Sequence, residues 1–286
     1  MKIKNSVFAL AALLLVQPGT GTAVAEDYDA GLSSFTGTVD VLAQGETDSW
    51  RAAESEMPLS AGDKVRAGES SSAEITLDGG GVIRLGADSV VDISSLESRS
   101  SSFFLRLGSL VAKIQRELLE RAERLEVRTP SAVCSVRGTE FGVEHDRESG
   151  ETVAGVFDEG SLSVASADKD GRTVAEEVVE KGSEVRLRAG ARKFKPGAMR
   201  RLLRHRKTLE AIRGRLEILR RNWKRSTPEK RRELRKRFLA RKAFLGQRAV
   251  KQGAARPQQK SGLLEKAKQR AAERRAGREK RKLQDK

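Results

Sequence analysis

The stretch that decides the fold runs from Val127 to Val143 and reads VRTPSAVCSVRGTEFGV. It holds two strand-like runs. The first, Ala132 to Val136, alternates Val133 and Ser135 with small or apolar neighbours. The second, Thr139 to Val143, sets Thr139, Phe141 and Val143 on one face. Alternation with period two marks a half-buried strand. Between the runs stands Arg137-Gly138-Thr139, where a glycine allows backbone angles that a residue with a Cβ adopts only at a cost, so a turn or bulge is expected. Pro130, after Thr129, lacks a ladder donor and suits a strand edge.

Working outward, the same signal repeats from Phe35 to about Arg188. Thr36-Gly37-Thr38-Val39-Asp40-Val41 and Ala73 to Leu77 alternate. Asp78-Gly79-Gly80-Gly81 then reads as the turn of a hairpin into Val82 to Leu85. Val90 to Ile93, Phe103 to Leu107, Ser109 to Ala112, Val153 to Phe157, Ser161 to Val164, Val174 to Val179 and Val185 to Leu187 complete the set, with Gly108 separating two of these runs. Many short strands with turn signals between them indicate an all-β sandwich, roll or solenoid-like stack. Glu117 to Arg124 is rich in helix formers and reads as a short helical insertion.

Charge divides the chain in two. Of 286 residues, those from 192 onward hold about 36 Lys and Arg against about 8 Asp and Glu, and the remainder holds about 20 against 32. An acidic folded part with a basic extension is the expected organisation. In the extension, Leu202, Leu209, Leu216 and Trp223 are seven apart, and Ile212 and Leu219 fill the seam. The seam fits an amphipathic helix packed on a neighbour, or a self-associating coiled coil that would make a homo-oligomer. Thr227-Pro228 marks a second helix, Thr as cap and Pro at the first helical position. Leu234, Phe238 and Leu245 give it an apolar stripe, and Gly246 can stop it. The simplest reading is a basic helical hairpin over 193–250, then a basic, low-complexity, disordered tail over 251–286.

Residues 1–25 read as a secretory leader. Lys2 and Lys4 precede the apolar run Val7 to Val16, and Ala23-Val24-Ala25 is a small-x-small cleavage site. The apolar run is too short for a membrane span. The mature chain is therefore expected outside the cytoplasm, periplasmic or secreted, with 26–34 as a linker before a β domain over 35–190.

Residues 36 to about 188 resemble a FecR-type periplasmic domain. The similarity is carried by an ordered series: Gly37 in the first strand, Trp50, Gly62-Asp63, Gly79, Gly108, Thr129-Pro130, Arg137-Gly138-Thr139 with Phe141, and Glu159-Gly160. The resemblance implies a periplasmic β domain in sensing or envelope scaffolding, without catalysis. It also brings the alternative of a sensory regulator for a membrane or sigma-factor system. The leader takes the place of the cytoplasmic segment and membrane helix that signalling members carry. The whole chain is thus expected to be α+β with the two kinds of structure segregated.

Little else in the sequence points to chemistry. His145, His205 and the single Cys134 do not make a metal cluster or a nucleophilic set, so no cofactor and no catalytic residue are assigned. Cys134 reads as a buried thiol. Arg137 could hold a carboxylate ligand or a structural ion pair. A glycan-active enzyme using paired carboxylates is the competing class, with no pair the sequence can single out. For the basic extension the candidate partners are an anionic envelope surface, a protein or glycan, and, disfavoured by export and scarce aromatics, nucleic acid.

Overall fold

A computed structural model of the chain describes residues 30–78, 80–97, 100–114, 124–136, 140–168, 170–242 and 244–245. The leader with Ala23 and Ala25, Gly79, the expected helical insertion up to residue 123, Arg137-Gly138-Thr139, Gly246 and the 251–286 tail all lie outside the described residues.

The strands are β1 (Ala30–Thr36), β2 (Val39–Leu42), β3 (Ser49–Ala52), β4 (Met57–Leu59), β5 (Lys64–Ala67), β6 (Ser72–Leu77), β7 (Gly81–Leu85), β8 (Ser89–Glu97), β9 (Ser100–Ile114), β10 (Arg124–Arg128), β11 (Ala132–Val136), β12 (Glu140–His145), β13 (Glu151–Val156), β14 (Ser161–Ala167), β15 (Thr173–Glu180), β16 (Ser183–Arg188), β17 (Gly197–Ala198) and β18 (Phe244–Leu245). After β17 come a short 3-10 turn, Leu202–His205, and two helices, α1 (Arg206–Arg225) and α2 (Pro228–Ala240). The fold is α+β, with the helices segregated at the C-terminal end.

Two open sheets enclose one core. The first has the order β4-β1-β6-β7-β9-β12-β13-β16-β17. The second has the order β3-β2-β5-β8-β9-β10-β11-β14-β15. Neighbours are antiparallel in both, apart from the parallel pair of β9 and β10. Strand β9 belongs to both sheets. Its first half pairs with β8 and β10, and its second half pairs with β7 and β12. The crossing point is Gly108, at φ +92, where an added Cβ would lie 2.6 Å from the Ser89 Cα. Gly108 is therefore a corner within one continuous strand and not a break between two.

The opening stretch behaves similarly. Strands β11 and β12 are both strands, but they do not pair with each other: β11 lies between β10 and β14, and β12 lies between β9 and β13. The chain changes sheet between them. Thr129-Pro130 forms the tight turn from β10 into β11, closed by the Thr129 N–H on the Ala132 carbonyl at 2.8 Å.

The structure corrects three readings. Thr36 to Val41 is not one strand: Gly37, at φ +74, turns the chain out of β1 and into the other sheet as β2. Residues 30–34, expected as linker, begin β1, where Ala30 and Leu32 are fully buried. Leu245 is not on the second helix, which ends at Ala240; it pairs with Ser49 in β18.

Inward side chains of both sheets, among them Leu32, Ile75, Ile83, Phe103, Phe141 and Val164, form the core. Burial of this kind is the main stabilising term, about 25 cal/mol per Å² of apolar surface. The first sheet is covered on its other face too. Val111, Val153 and Phe157 pack there with Met199, Leu202 and Leu209, and Val82 packs with Ile212, Leu216 and Leu219.

Candidate functional site

The site is the contact between the outer face of the first sheet and the basic helical arm. Period-two alternation sets Glu74 on β6, Glu140 and Glu144 on β12, and Glu184 on β16 on that face, opposite core residues such as Ile75, Phe141, Val143 and Val185. All four glutamates are buried. A buried carboxylate needs a partner, and the arm supplies them.

Glu184 receives the start of the arm. Its carboxylate accepts the backbone N–H of Arg201 and of Leu202 at 3.0 Å. Burial pushes its pKa up, and these backbone donors more than offset that, so it titrates below the usual glutamate range. Glu144 is held by three donors: Arg201 Nε at 2.7 Å, Arg204 Nη2 at 2.6 Å and His205 Nε2 at 2.5 Å. Burial opposes the charge there also, yet the His205, Arg201 and Arg204 bonds bring the pKa down to about 2. Arg213 Nε donates to Glu140 Oε1 at 2.6 Å and also reaches Asp158. Arg215 and Arg84 share Glu74.

The apolar seam fits between these pairs. Gly142 and Gly155 face each other across β12 and β13 and leave a notch that Leu202 fills. A Cβ at Gly155 would lie 2.8 Å from the Leu202 side chain. Gly31 on β1 makes the second notch: a Cβ there would lie 2.0 Å from the Trp223 ring. Trp223 also donates its indole N–H to Asp78 at 3.0 Å and stacks under Arg231, 3.9 Å from the ring centroid. Leu202, Leu209, Ile212, Leu216, Leu219 and Trp223 are all buried, and the surface that buries them is this chain's own sheet.

Helix α2 is capped as its sequence suggests, with the Thr227 hydroxyl accepting the Lys230 N–H at 3.3 Å and Pro228 in the first turn. Its buried face differs from the expected apolar stripe. Phe238 is fully buried and Leu234 only half-buried, while Arg231 and Arg235 are also buried, Arg235 against the Phe238 ring. Arg235 grips Asp63 with two 2.7 Å bonds. Arg237 and Arg241 both hold Glu54 at the rim. Each of the two helices is seated on the β domain, α1 across the first sheet and α2 over β4.

Other singled-out residues take structural places. Gly62, at φ +88, turns the chain ahead of Asp63, whose carboxylate also accepts the Gln44 and Ser60 N–H groups at 2.9 Å. Trp50 stacks with Arg66, 4.2 Å from its ring centroid. Thr129 Oγ1 bonds Thr152 Oγ1 at 2.8 Å, and Thr152 in turn bonds His145 Nδ1 at 3.0 Å. Burial lowers the His145 pKa. Phe141 is in the core. Glu159 bonds Lys113 Nζ at 2.9 Å, and Gly160 turns at φ +87. Burial pushes the Cys134 thiol up to about 12, so its reactive thiolate form is suppressed. Among the described residues no group of three or more metal-ligating side chains assembles.

The glutamates, the arginines that hold them and the glycine notches were absent from the sequence reading. Glu140 and Glu144 looked like a solvent face because they alternate with core residues. The usable signal was opposite charge: an acidic sheet face and an Arg-rich amphipathic helix in one chain.

Residues 63–161 match the model of the FecR protein family. A comparison with curated proteins found no match. Two crystal structures of a candidate anti-sigma factor from Parabacteroides distasonis ATCC 8503, at 2.50 and 1.65 Å, are similar in part. Each aligns at 16% identity with a TM-score of 0.40, over 49% of this chain and 61% of the other. The chain thus spans less than two thirds of the length of those proteins. The matched region starts at the buried Asp63 and reaches the first residue of β14, and strands on both sides of it complete the same two sheets. Over residues 63–161, then, the chain is similar to the FecR protein family.

Proposed function

We propose that the chain is an exported, non-enzymatic regulatory protein whose FecR-type domain displays a basic helical arm to an anionic envelope surface. A FecR domain supports a signalling or regulatory role. The observation that carries the finer reading is how the arm divides its cations. Arg201, Arg204, Arg213, Arg215 and Arg235 face the β domain and are occupied by its carboxylates. Lys207, Arg221, Lys224 and Arg225 of α1 and Lys236 of α2 are exposed. The inward set builds the fold; the outward set, with the exposed Glu210 and Glu217 among it, leaves an excess of positive charge open to an external anion.

The remaining features are consistent with this reading. Residues 1–25 would act as a leader, 30–198 as the β domain, 199–245 as the arm and 251–286 as a further basic tail. No described helix is long and apolar enough to cross a membrane. Regulation of a sigma-factor system remains the second reading, favoured by the family match itself.

The test is a salt-titrated pull-down of the purified chain on cell-wall sacculi, anionic vesicles and RNA. Retention on sacculi or vesicles at low salt, lost as salt rises and lost in Lys207→Glu/Arg221→Glu/Arg225→Glu, is expected. No retention on either envelope material would end the proposal, and retention on RNA alone would assign the outward charge to nucleic acid.

A further inference from the structure

A cleft of about 460 Å³ opens where the arm meets the first sheet. Its walls come from both partners: Ser70, Arg84 and Ser109 from the β domain, and Arg204, His205 and Thr208 from the arm, with further hydroxyls from neighbouring residues. We propose that this cleft binds a small hydroxylated anion of the sugar-acid or sugar-phosphate class, and that the bound ligand fastens the arm to the domain. The proposal goes beyond the envelope reading and does not depend on it, since the cleft is built wholly from described residues.

Three features point to that chemistry. The lining is hydroxyl-rich, and hydroxyls both donate to and accept from the hydroxyls of a sugar ring. The charged groups at the wall are basic and no carboxylate lines it. Arg84 is oriented by Nη1 on Glu74 at 2.7 Å, and Arg204 by Nε and Nη2 on Glu144 at 2.9 and 2.6 Å. Neither Arg84 Nη2 nor Arg204 Nη1 makes a hydrogen bond among the described residues. Two pre-set guanidinium edges at one cleft suit a carboxylate or phosphate.

The wall also carries backbone strain where a binding site would. Ser70 sits at φ +54, a left-handed conformation that a non-glycine residue adopts at a cost. Gly86 lies against Ser109, where a Cβ would meet the Ser109 Oγ at 2.3 Å, so this side of the cleft depends on having no side chain. The volume lies in the range of small-ligand sites, and the wall is more polar than apolar, which favours a polar occupant. A ligand touching both walls binds only the docked arm. It therefore stabilises docking by mass action.

Calorimetric titration of the full chain tests this with D-glucuronate, glucose 6-phosphate, D-glucose and inorganic phosphate. At least one charged sugar should bind saturably, roughly tenfold or more tighter than glucose or phosphate, as a charge-assisted bond added to hydroxyl contacts requires. Which one binds distinguishes a carboxylate from a phosphate ligand. Thr208→Val and Ser109→Ala, one on each wall, should each weaken it several-fold, and the ligand should slow amide exchange in α1. Equal or weaker binding of both charged sugars relative to inorganic phosphate would overturn the proposal. So would unchanged affinity in both variants.

Discussion

Arg235 of α2 reaches Asp63 across 172 positions of sequence and holds it by two parallel 2.7 Å hydrogen bonds, with the Asp63 side chain wholly buried and that of Arg235 8% exposed. Asp63 is the first residue of the FecR-matched region, and the remaining capacity of its carboxylate is met by the Gln44 and Ser60 N–H groups. The start of the matched region is thereby tied directly to the arm. Removing one member of a buried pair strands the other, at a cost of about 3–5 kcal/mol. Arg235→Met should lower the urea midpoint accordingly. Arg235→Met/Asp63→Asn should cost less than the sum of its single changes, by about 1–3 kcal/mol of coupling. Additive single changes would mean that the pair is not formed in solution.

Glu144 sets a pH dependence with a definite sign. The unfolded carboxyl titrates near 4.5 and the folded one at about 2. A depressed folded pKa adds stability that is complete above the unfolded value and is lost as pH falls from about 5 toward 2. The gap corresponds to about 3 kcal/mol. Urea unfolding of the native chain between pH 5 and 2.5 should therefore show a steeper loss than Glu144→Gln, which has no carboxyl to protonate. Parallel curves would remove Glu144 from the account.

Gly31 and Trp223 offer an optical test. The ring fills the space above Gly31, so Gly31→Ala must move it. In a Trp50→Phe background Trp223 is the only tryptophan. There, Gly31→Ala should shift its emission to the red and lower stability by about 1–3 kcal/mol, the usual cost of overpacking. An unchanged spectrum would place the ring elsewhere.

Leu202 and Leu203 are neighbours with opposite exposure, 0% and 45%. Leu202→Ala empties the notch between Gly142 and Gly155 and should cost about 2–5 kcal/mol in thermal or urea unfolding. Leu203→Ala should stay within about 0.5 kcal/mol. Equal effects would mean that the notch is not occupied.

These residues also mark what the sequence could and could not disclose. Strands β6, β7, β13, β14 and β16 follow from alternation because their inward residues are apolar. The seven-residue spacing from Leu202 to Trp223 is equally plain, since a helix must bury one stripe. What covers that stripe is tertiary information. Coiled-coil partner and own sheet impose the same spacing, and only the buried glutamates opposite distinguish them. Strand β12 shows why. Its six residues are all buried, Phe141 and Val143 in the core and Glu140 and Glu144 beneath arginines, yet the alternation alone describes a sheet with one wet face. The continuity of β9 through Gly108 was hidden for a related reason. A positive-φ glycine breaks a local pattern whether the strand ends or merely turns into a second sheet. On α2, arginines take the buried places because their planar forks can satisfy Asp63 and stack on Trp223, which an apolar-stripe rule does not foresee.

The central claim is that the basic arm is an integral layer of the fold and not a free extension. Hydrogen exchange of the native full-length chain, followed by mass spectrometry, addresses it most directly. Amides of α1 from Leu209 to Trp223 should be protected to a degree comparable with β9 and β12, at low and moderate salt alike, because they open only when the sheet face is uncovered. Exchange of α1 within seconds, like an isolated helix, while β9 and β12 stay protected, would contradict the account.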